Sequence, residues 1–216
     1  MCYLRLRYAR SECLVRSRHK VNPFDTFGQA PEHDDSAEFT DVFLNEGLPM
    51  TEKARLLRER LIRNFNAVQL EHFIRPPAYD TQMARLARGT AAQKLGASID
   101  VLAPGKVGCP YHFHHAQEEM FVILDGNGTL RVAGEMLPIS TGDVLFLPGG
   151  AGFPHQIINT SNAPLKYLSI STRETPEICE YPDSGKYSAM VGDSTGQVFS
   201  AIQRPDATLD YWDGEP

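Results

Sequence analysis

Three histidines and one glutamate in this chain have residue types and a spacing suited to metal binding. His112 and His114 are separated by one residue, Glu119 follows shortly after them, and His155 lies further along the chain. Residues two apart in a β-strand face the same side, so His112 and His114 can converge on one point. Imidazole and carboxylate are ligands that divalent transition metals accept. We therefore predict that these four residues bind one divalent ion of Mn, Fe, Co, Ni or Zn.

Short strands are the elements that must position these side chains. From Ala97 onward, short apolar runs alternate with glycine and proline turns, a pattern typical of an all-β sandwich or barrel. Gly126-Asn127-Gly128 predicts a hairpin turn between two of the runs, because glycine tolerates a positive φ. Phe121 and Ile123 share the parity of Glu119, so we expect them to line the barrel interior. The predicted strands are Ser98–Leu102, Met120–Leu124, Thr129–Val132, Val144–Leu147, Gln156–Asn159, Leu165–Ser171, Ile178–Tyr181, Tyr187–Val191 and Val198–Gln203.

Two motifs in this region resemble those of the cupin superfamily, and the resemblance spans residues 97–172. It implies an all-β fold, a double-stranded β-helix or jelly-roll barrel, and a homodimer, whereas the N-terminal helix and extension are predicted from the residue pattern alone and residues 1–49 have no place in the resemblance. Two departures fall in turns: Gly105 lies one residue before the usual glycine position, which Lys106 occupies, and residues 149–151 include a two-residue insertion. The matching residues are His112, His114, Glu119 and Gly126 in the first motif, and Gly142, Pro148, Gly152, His155 and Asn159 in the second.

The resemblance covers several chemistries. The segments Glu180–Lys186 and Asp210–Glu215 look like parts of single-domain bacterial cupins described as sugar-phosphate-isomerase-like. The leading expectation is therefore a metal-dependent enzyme of that type, acting on a small and possibly anionic molecule. The alternatives are a metal-dependent dioxygenase or decarboxylase, or a non-catalytic ligand-binding or sensor cupin. A transcription regulator is disfavoured, because residues 51–96 predict one helix rather than a helix-turn-helix pair.

The residues that could act on a substrate are less clear than the metal ligands. Glu118 is a weak candidate for a catalytic base, and Arg131, inside a predicted strand, is a weak candidate for binding an anion. An exposed strand arginine is the alternative interpretation of Arg131. Lys106 and Lys166 could also contact a phosphate group, although surface positions are the simpler expectation for both.

Several neighbours of the four candidate ligands have expected supporting positions. Gln156 and Asn159 flank His155 and could orient it or hold a water. His115 should point away from His114, to the opposite face of its strand. His72 adjoins an apolar stretch and is expected to be partly buried. Cys109 is expected to be a small buried hydrophobe rather than a soft metal ligand.

The N-terminal half predicts an extension followed by a helix. Residues 1–50 are basic in their first twenty positions and acidic afterwards, which favours a disordered arm or an upstream extension. An organelle transit peptide, or a true start at Met50, is the alternative. Residues 51–96 should form a helix capped by Thr51, then a strand region packed on the barrel. The barrel is expected over 97–204 and a C-terminal tail over 205–216.

Two smaller predictions belong to this stretch. Leu56, Leu57 and Leu61 give the helix an apolar stripe for packing on the domain or on a second subunit. Residues Ala84 to Lys94 are expected to contain a helical turn or two.

Composition narrows the partners and the compartment. The formal net charge of -6 disfavours nucleic-acid binding. No apolar run reaches the roughly 18 residues of a membrane helix. The four cysteines, Cys2, Cys13, Cys109 and Cys179, form no CxxC pair, so we expect a reducing, cytoplasmic location.

Overall fold

The fold is known here from a computed structural model that describes residues 50–193 and 196–216. The arm predicted for residues 1–50 therefore lies outside the described residues, apart from Met50. No helix among the described residues is long and apolar enough to cross a membrane. The elements are α1 (Glu52–Leu61), β1 (Glu71–Arg75), β2 (Tyr79–Arg85), β3 (Leu95–Leu102), β4 (Phe113–His114), β5 (Glu119–Asp125), β6 (Asn127–Val132), β7 (Glu135–Ser140), β8 (Val144–Leu147), β9 (His155–Ile158), β10 (Leu165–Thr172), β11 (Glu177–Tyr181), β12 (Lys186–Asp193), β13 (Gly196–Gln203) and a 3-10 helix (Pro205–Ala207).

The strands form three antiparallel sheets. The largest has the order β1-β2-β3-β10-β5-β8, a second has the order β13-β12-β11-β4, and the third has the order β7-β6-β9. Strands far apart in sequence therefore lie side by side, as β3 and β10 do over eight residue pairs. This arrangement confirms the all-β fold that was predicted, and a jelly-roll accounts for it.

One apolar core joins the first and third sheets. Phe121 and Ile123 contribute to it from β5, and Leu130 and Ile157 contribute from β6 and β9. Side chains alternate across a strand, so the residues between these positions face outward. The prediction that Phe121 and Ile123 line the interior is confirmed, since both are buried in this core.

The predicted helix is confirmed, but its apolar stripe is not buried. The Thr51 side chain accepts a hydrogen bond from the Ala54 N–H, and the helix ends before Ile62. Leu56, Leu57 and Leu61 are 48%, 47% and 63% exposed. The expectation that the stripe packs on the domain is therefore wrong within the described chain, and packing on a second subunit stays a prediction.

The glycine-rich turn after β5 corrects the predicted hairpin. β5 pairs with β10 and β8, whereas β6 pairs with β7 and β9, so the two strands flanking Gly126 belong to different sheets. Gly126 has a φ of +92°, and a Cβ there would lie 2.6 Å from the Pro164 carbonyl oxygen. The turn is a corner at which the chain passes from one sheet to another, close to the backbone of Pro164.

We expect Gly126→Ala to destabilise the protein more than Gly134→Ala. Both glycines have a positive φ, but nothing lies within 4 Å of a Cβ at Gly134. The backbone conformation alone should cost about 1–2 kcal/mol at either site, and the carbonyl contact should add to this only at Gly126. Urea unfolding of the two variants measures the difference. Equal losses of unfolding free energy in the two variants would contradict this prediction, because they would mean that the backbone around Gly126 moves to accommodate a Cβ without cost.

Residues 67–96 contain more strand than the sequence suggested. β1 and β2 form a hairpin that extends the largest sheet through β3. The helical turns predicted between Ala84 and Lys94 are wrong: Ala84 and Arg85 belong to β2, and turns and bends follow. Gly89 has a φ of +72°, and the Thr90 hydroxyl donates to the Ala87 carbonyl, which closes a turn instead of a helix.

β7 was missed altogether. It carries Pro138 and only Ile139 is buried within it, so it shows little of the alternation that identifies a strand. A proline is accommodated because β7 is an edge strand of its sheet.

Candidate metal centre

His112 and His155 are placed opposite each other by the backbone. The His112 N–H donates to the His155 carbonyl at 3.1 Å, and the His155 N–H donates to the His112 carbonyl at 2.7 Å. This reciprocal pair is an isolated antiparallel bridge. His155 begins β9, whereas His112 lies just before β4 and belongs to no strand. The bridge brings two segments separated by more than forty residues of sequence to one point.

His114 and Glu119 reach the same point from two other strands. His114 ends β4, which pairs with β11 through Cys179, and Glu119 begins β5, opposite Leu147 and Ser171. The four predicted ligands thus come from three sheets and from the bridge segment before β4. The His112 ring centroid lies 5.0 Å from that of His114 and 4.6 Å from that of His155.

One carboxylate oxygen is the meeting point of the three imidazoles. Glu119 Oε2 lies 2.8 Å from His155 Nε2, 3.5 Å from His112 Nε2 and 3.6 Å from His114 Nε2. The four side chains are at most 15% exposed. The structure therefore brings together all four residues that the sequence singled out.

The opposite ring nitrogen of each histidine faces an acceptor. His112 Nδ1 donates to the Pro110 carbonyl at 2.8 Å, and His155 Nδ1 donates to the Phe153 carbonyl at 3.0 Å. His114 Nδ1 lies 3.2 Å from Glu177 Oε1. Such partners place the hydrogen on Nδ1 of a neutral imidazole, so each Nε2 presents a lone pair.

This donor set fits a divalent cation. Three Nε2 lone pairs and an acceptor-only carboxylate face one another, so neutral rings leave no hydrogen between them. A bound metal ion or added protons must compensate these electron-rich atoms. Nitrogen and oxygen donors of this kind suit the late first-row divalent metals, and His112, Glu119 and His155 already have donor atoms within 4.8 Å of one another.

The electrostatics of the metal-free cluster point the same way. Burial raises the pKa of Glu119, but hydrogen bonds from His112 and His155 outweigh it and hold that pKa well below its usual range. Burial lowers the pKa of His112, yet Cys109 and Glu119 outweigh burial and raise that pKa to about 11. Without a metal, the carboxylate therefore keeps its charge and a neighbouring imidazole takes up a proton.

We expect the metal-free protein to lose stability at acid pH through Glu119. Its pKa is lower in the folded than in the unfolded chain, so its stabilising contribution is present above 4.5 and is lost as the pH falls below that value. Denaturant unfolding with a chelator present, at a series of pH values, measures this loss. Glu119→Gln should show a smaller acid-induced loss than the parent, and an identical pH profile would contradict the assignment.

Glu177 is the residue that the sequence did not reveal. Its carboxylate is 1% exposed. Oε1 accepts from the His115 N–H at 3.0 Å, and Oε2 accepts from the N–H groups of Ala116 and Gln117 at 3.1 and 2.9 Å. Together with the His114 contact, these bonds fix the loop between the second histidine and Glu119. Glu177 follows Pro176 in a segment with no motif signal, so only the fold identifies it.

The insertion in the second motif also contacts the histidine segment. The Gly150 N–H donates to the His114 carbonyl at 2.6 Å. A Cβ at Gly149 would lie 3.1 Å from the His115 carbonyl and 3.2 Å from that of Gln117. The extra residues therefore pack against the backbone that carries a candidate ligand.

A second group of donors overlaps the first. Donor atoms of His112, His114 and Cys179 also lie within 4.8 Å of one another. Burial raises the pKa of the Cys179 thiol above its ordinary value, and a thiol must lose its proton to bind a metal. The donor set that contains Glu119 is therefore better suited to binding a metal at neutral pH than the set that contains Cys179.

The weak catalytic candidates lie away from the meeting point. Glu118 is exposed, and its backbone N–H donates to the Thr172 hydroxyl. Arg131 forms a two-bond ion pair with Asp183 at 2.7 and 2.8 Å, and its guanidinium lies 3.8 Å from the centroid of the Tyr111 ring. An arginine held in this way has less freedom to bind a substrate anion.

The two lysines also have partners. Lys106 Nζ donates to the Pro77 carbonyl at 2.8 Å, and Lys166 Nζ donates to the Asn66 side chain at 3.0 Å. Neither bond involves the histidines or Glu119. Both lysines instead tie the barrel to the segments around β1.

The neighbours of His155 have structural roles. Asn159 is fully buried, donates to the carbonyls of Leu102 and Ala163, and accepts from Ser161. Gln156 donates to the Cys109 carbonyl at 2.7 Å. Neither bonds to the His155 ring among the described contacts, so each fixes a loop rather than the imidazole.

The expectations for His115, His72 and Cys109 have different outcomes. His115 points away from the cluster as predicted, and its exposed ring bonds to Glu180 at 2.7 Å. The expectation of a partly buried His72 is wrong: it lies on an exposed hairpin strand and bonds to Asp80 at 2.7 Å. Cys109 is half-buried, with its sulfur 3.6 Å from His112 Nδ1.

Comparison with known proteins agrees with this architecture. Residues 98–171 match the model of a cupin domain. The chain contains a cupin domain. This confirms the resemblance read from the two motifs, and the matched range contains all four candidate ligands.

Two curated relatives share part of the chain. An uncharacterised protein of Methanocaldococcus jannaschii is 36% identical over 73 residues, which are 32% of this chain and 57% of that protein. An oxalate-binding protein of Thermotoga maritima is 29% identical over 133 residues, which are 59% of this chain and 97% of that protein. This chain therefore spans little more than half of the first of these relatives.

Solved cupin structures share the fold. A candidate sugar phosphate isomerase of Acidithiobacillus ferrooxidans aligns with a TM-score of 0.60 and 24% identity, over 71% of this chain and 97% of that one. A sugar phosphate isomerase of the cupin superfamily from Silicibacter pomeroyi aligns with a TM-score of 0.56 and 22% identity, over 69% and 96%. At these identities the likeness concerns the fold.

Proposed function

We propose that this cupin binds one divalent transition metal through His112, His114, Glu119 and His155, and uses it to bind a small organic anion. The convergence of three imidazole Nε2 atoms on one carboxylate oxygen carries the proposal. A bound ion supplies Lewis-acid positions for oxygen atoms of the ligand. Four protein ligands leave two positions of a six-coordinate ion for that purpose.

The chain's own residues prepare the site. Glu177 and the carbonyls of Pro110 and Phe153 hold the Nδ1 hydrogens, so that the Nε2 lone pairs face inward. Phe121 and Tyr167 form the apolar floor: the Phe121 ring centroid lies 6.1 Å from that of His155 and 5.9 Å from that of Tyr167. An apolar wall strengthens the attraction between a charged ligand and the site.

A dicarboxylate of oxalate's size is the ligand class that we favour. Support comes from the oxalate-binding relative, whose whole length is nearly covered by the match. Two adjacent carboxylate oxygens also suit two adjacent open positions. Decarboxylation or oxygen-dependent oxidation of such an anion is the enzymatic extension, with manganese favouring the former and iron the latter.

The test is calorimetric titration of oxalate into manganese-loaded protein. We expect binding that disappears when the metal is removed and when His155 is replaced by alanine, with His115→Ala as the control that keeps it. Equal binding to the metal-free protein would contradict the proposal. Analysis of the titrated sample for formate and carbon dioxide then distinguishes a binding protein from a decarboxylase.

Aldose–ketose isomerisation of a sugar phosphate is the second candidate. It needs a base to move a proton between adjacent carbons and a cation for the phosphate. Glu118 is exposed, and Arg131, Lys106 and Lys166 already have partners, so the structure supports this candidate less than the first. Incubation of the metal-loaded protein with an aldose phosphate, followed by NMR detection of the ketose, tests it directly.

The proposed homodimer has one feature in its favour. The exposed leucine stripe of α1 offers an apolar face of the kind that a second subunit could cover. Sedimentation equilibrium of the parent beside Leu57→Gln/Leu61→Gln tests the dimer. A variant with the same mass as the parent would show that the leucine stripe does not form a dimer interface.

A further inference from the structure

A cavity of about 400 Å³ lies on the outer side of the barrel wall, next to the candidate metal centre. Cys109, Pro110 and Gln156 line one wall. His155 and Ile157 face inward from β9, and Gln156 lies between them, so the cavity is on the opposite face of that strand. Its volume is within the range of small-molecule sites.

The cavity also adjoins His112, on the side away from the meeting point. Cys109 and Pro110 line it, and these residues contact His112 Nδ1 rather than Nε2. Tyr181, another lining residue, stacks on the His112 ring at 6.2 Å between centroids. The cavity is therefore separated from the Nε2 atoms by the imidazole itself.

Aromatic side chains supply most of the apolar lining. Tyr79 and Phe73 come from the β1–β2 hairpin, Tyr111 from the segment before β4, and Tyr181 from β11. Tyr111 is buried, while Tyr79 and Tyr181 are half-buried. Such surfaces bind flat apolar groups.

Two cations complete the lining. Arg75 and Lys186 both border the cavity, and neither has a carboxylate partner among residues 50–193 and 196–216. Lys186 Nζ lies 4.9 Å from the centroid of the Tyr181 ring. Asp183, the acidic residue of the lining, is already paired with Arg131. The cavity therefore combines an apolar interior with two cations that have no carboxylate partner in the described part of the chain.

We propose that this cavity is a second ligand site, distinct from the metal centre, for a small organic anion with a flat aromatic body. The aromatic residues contact the body of the ligand, and Arg75 and Lys186 bind its carboxylate. The site is independent of the proposed metal function, because no candidate metal ligand lines the cavity.

The test uses 2-naphthoate as the probe, titrated by calorimetry into the full-length protein with and without a chelator. We expect one binding site with a Kd of roughly 10–100 μM, equal in the metal-free protein and in His155→Ala. The neutral 2-naphthamide should bind at least about tenfold more weakly. Arg75→Gln and Lys186→Gln should each weaken naphthoate binding about tenfold, whereas Arg85→Gln, an exposed control on the same hairpin, should not change it.

A second variant guards against loss of folding. Ser184 lines the cavity at an exposed turn, so Ser184→Trp should fill the space and abolish binding while the unfolding midpoint stays near that of the parent. Absence of naphthoate binding to the parent would overturn the proposal. Equal affinity for the amide would remove the role of the cations, and binding that depends on the metal would assign the probe to the metal centre instead.

Discussion

Replacing both His112 and His155 by alanine is expected to abolish metal retention. Purified parent protein, exposed to a buffer containing Mn, Fe, Co, Ni and Zn and then desalted, should hold about one metal ion per chain. The double variant should hold almost none, because two of the three Nε2 donors that face Glu119 Oε2 are gone. Elemental analysis by mass spectrometry measures both samples, and the retained ion also indicates which chemistry to pursue.

The matched control uses the two exposed histidines. His115 lies next to His114 in sequence, and His115 and His72 bond to acidic partners outside the cluster, Glu180 and Asp80. His72→Ala/His115→Ala therefore removes the same number of imidazoles without touching the site, and it should retain the metal. Equal loss in both double variants would mean that metal is held nonspecifically at the surface.

Substitution of Glu177 is expected to have the second large effect, on stability and metal affinity together. Glu177→Ala leaves the N–H groups of Ala116 and Gln117 without their acceptor, whereas the His115 N–H keeps its second acceptor, the Ile178 carbonyl. Each unsatisfied donor costs about 1–3 kcal/mol, so the loss of two acceptors should lower the free energy of unfolding by at least about 2 kcal/mol. Metal affinity should fall about 10- to 100-fold, since His114 loses the group that orients it.

Two further variants separate positioning from stability. Glu177→Gln keeps the side-chain shape but places an amide NH₂ against some of the backbone N–H donors. We therefore expect this variant to fold, and to bind the metal more weakly than the parent. Glu180→Gln, on the same strand, loses only the exposed bond to His115 and should change stability by less than about 1 kcal/mol. Urea unfolding and metal competition with a chromophoric chelator measure the two effects. Parent-like affinity in Glu177→Gln would contradict the orienting role.

The candidate ligands could be predicted because their signal is local. Two histidines two residues apart identify a shared strand face, and the carboxylate and third histidine follow at spacings that resemble the cupin motifs. Most strands of residues 97–204, though not β7, were found for a similar reason, since alternation and turn residues are read within a few positions. Val144–Leu147 was predicted with the bounds that the structure has.

The supporting groups could not be predicted because their partners are distant in sequence. Glu177 is 63 residues from His114, to which it bonds, and no spacing rule connects them. The same limit applies to Arg131, whose partner Asp183 is 52 residues away. Gly126 was correctly placed in a turn, but the choice between a hairpin and a corner depends on which strands pair across the sheets.

X-ray absorption spectroscopy at the edge of the bound metal tests the central claim most directly. With zinc as the loaded ion, the proposed site predicts imidazole scattering from three rings with nitrogen and oxygen atoms at about 2.0–2.2 Å. His112 and His114 also lie near Cys179, so the alternative donor set would show a sulfur atom at about 2.3 Å. A shell of nitrogen and oxygen alone, with the multiple scattering of three imidazoles, is the result we predict. A sulfur ligand, or fewer than three imidazoles, would contradict the site built from His112, His114, Glu119 and His155.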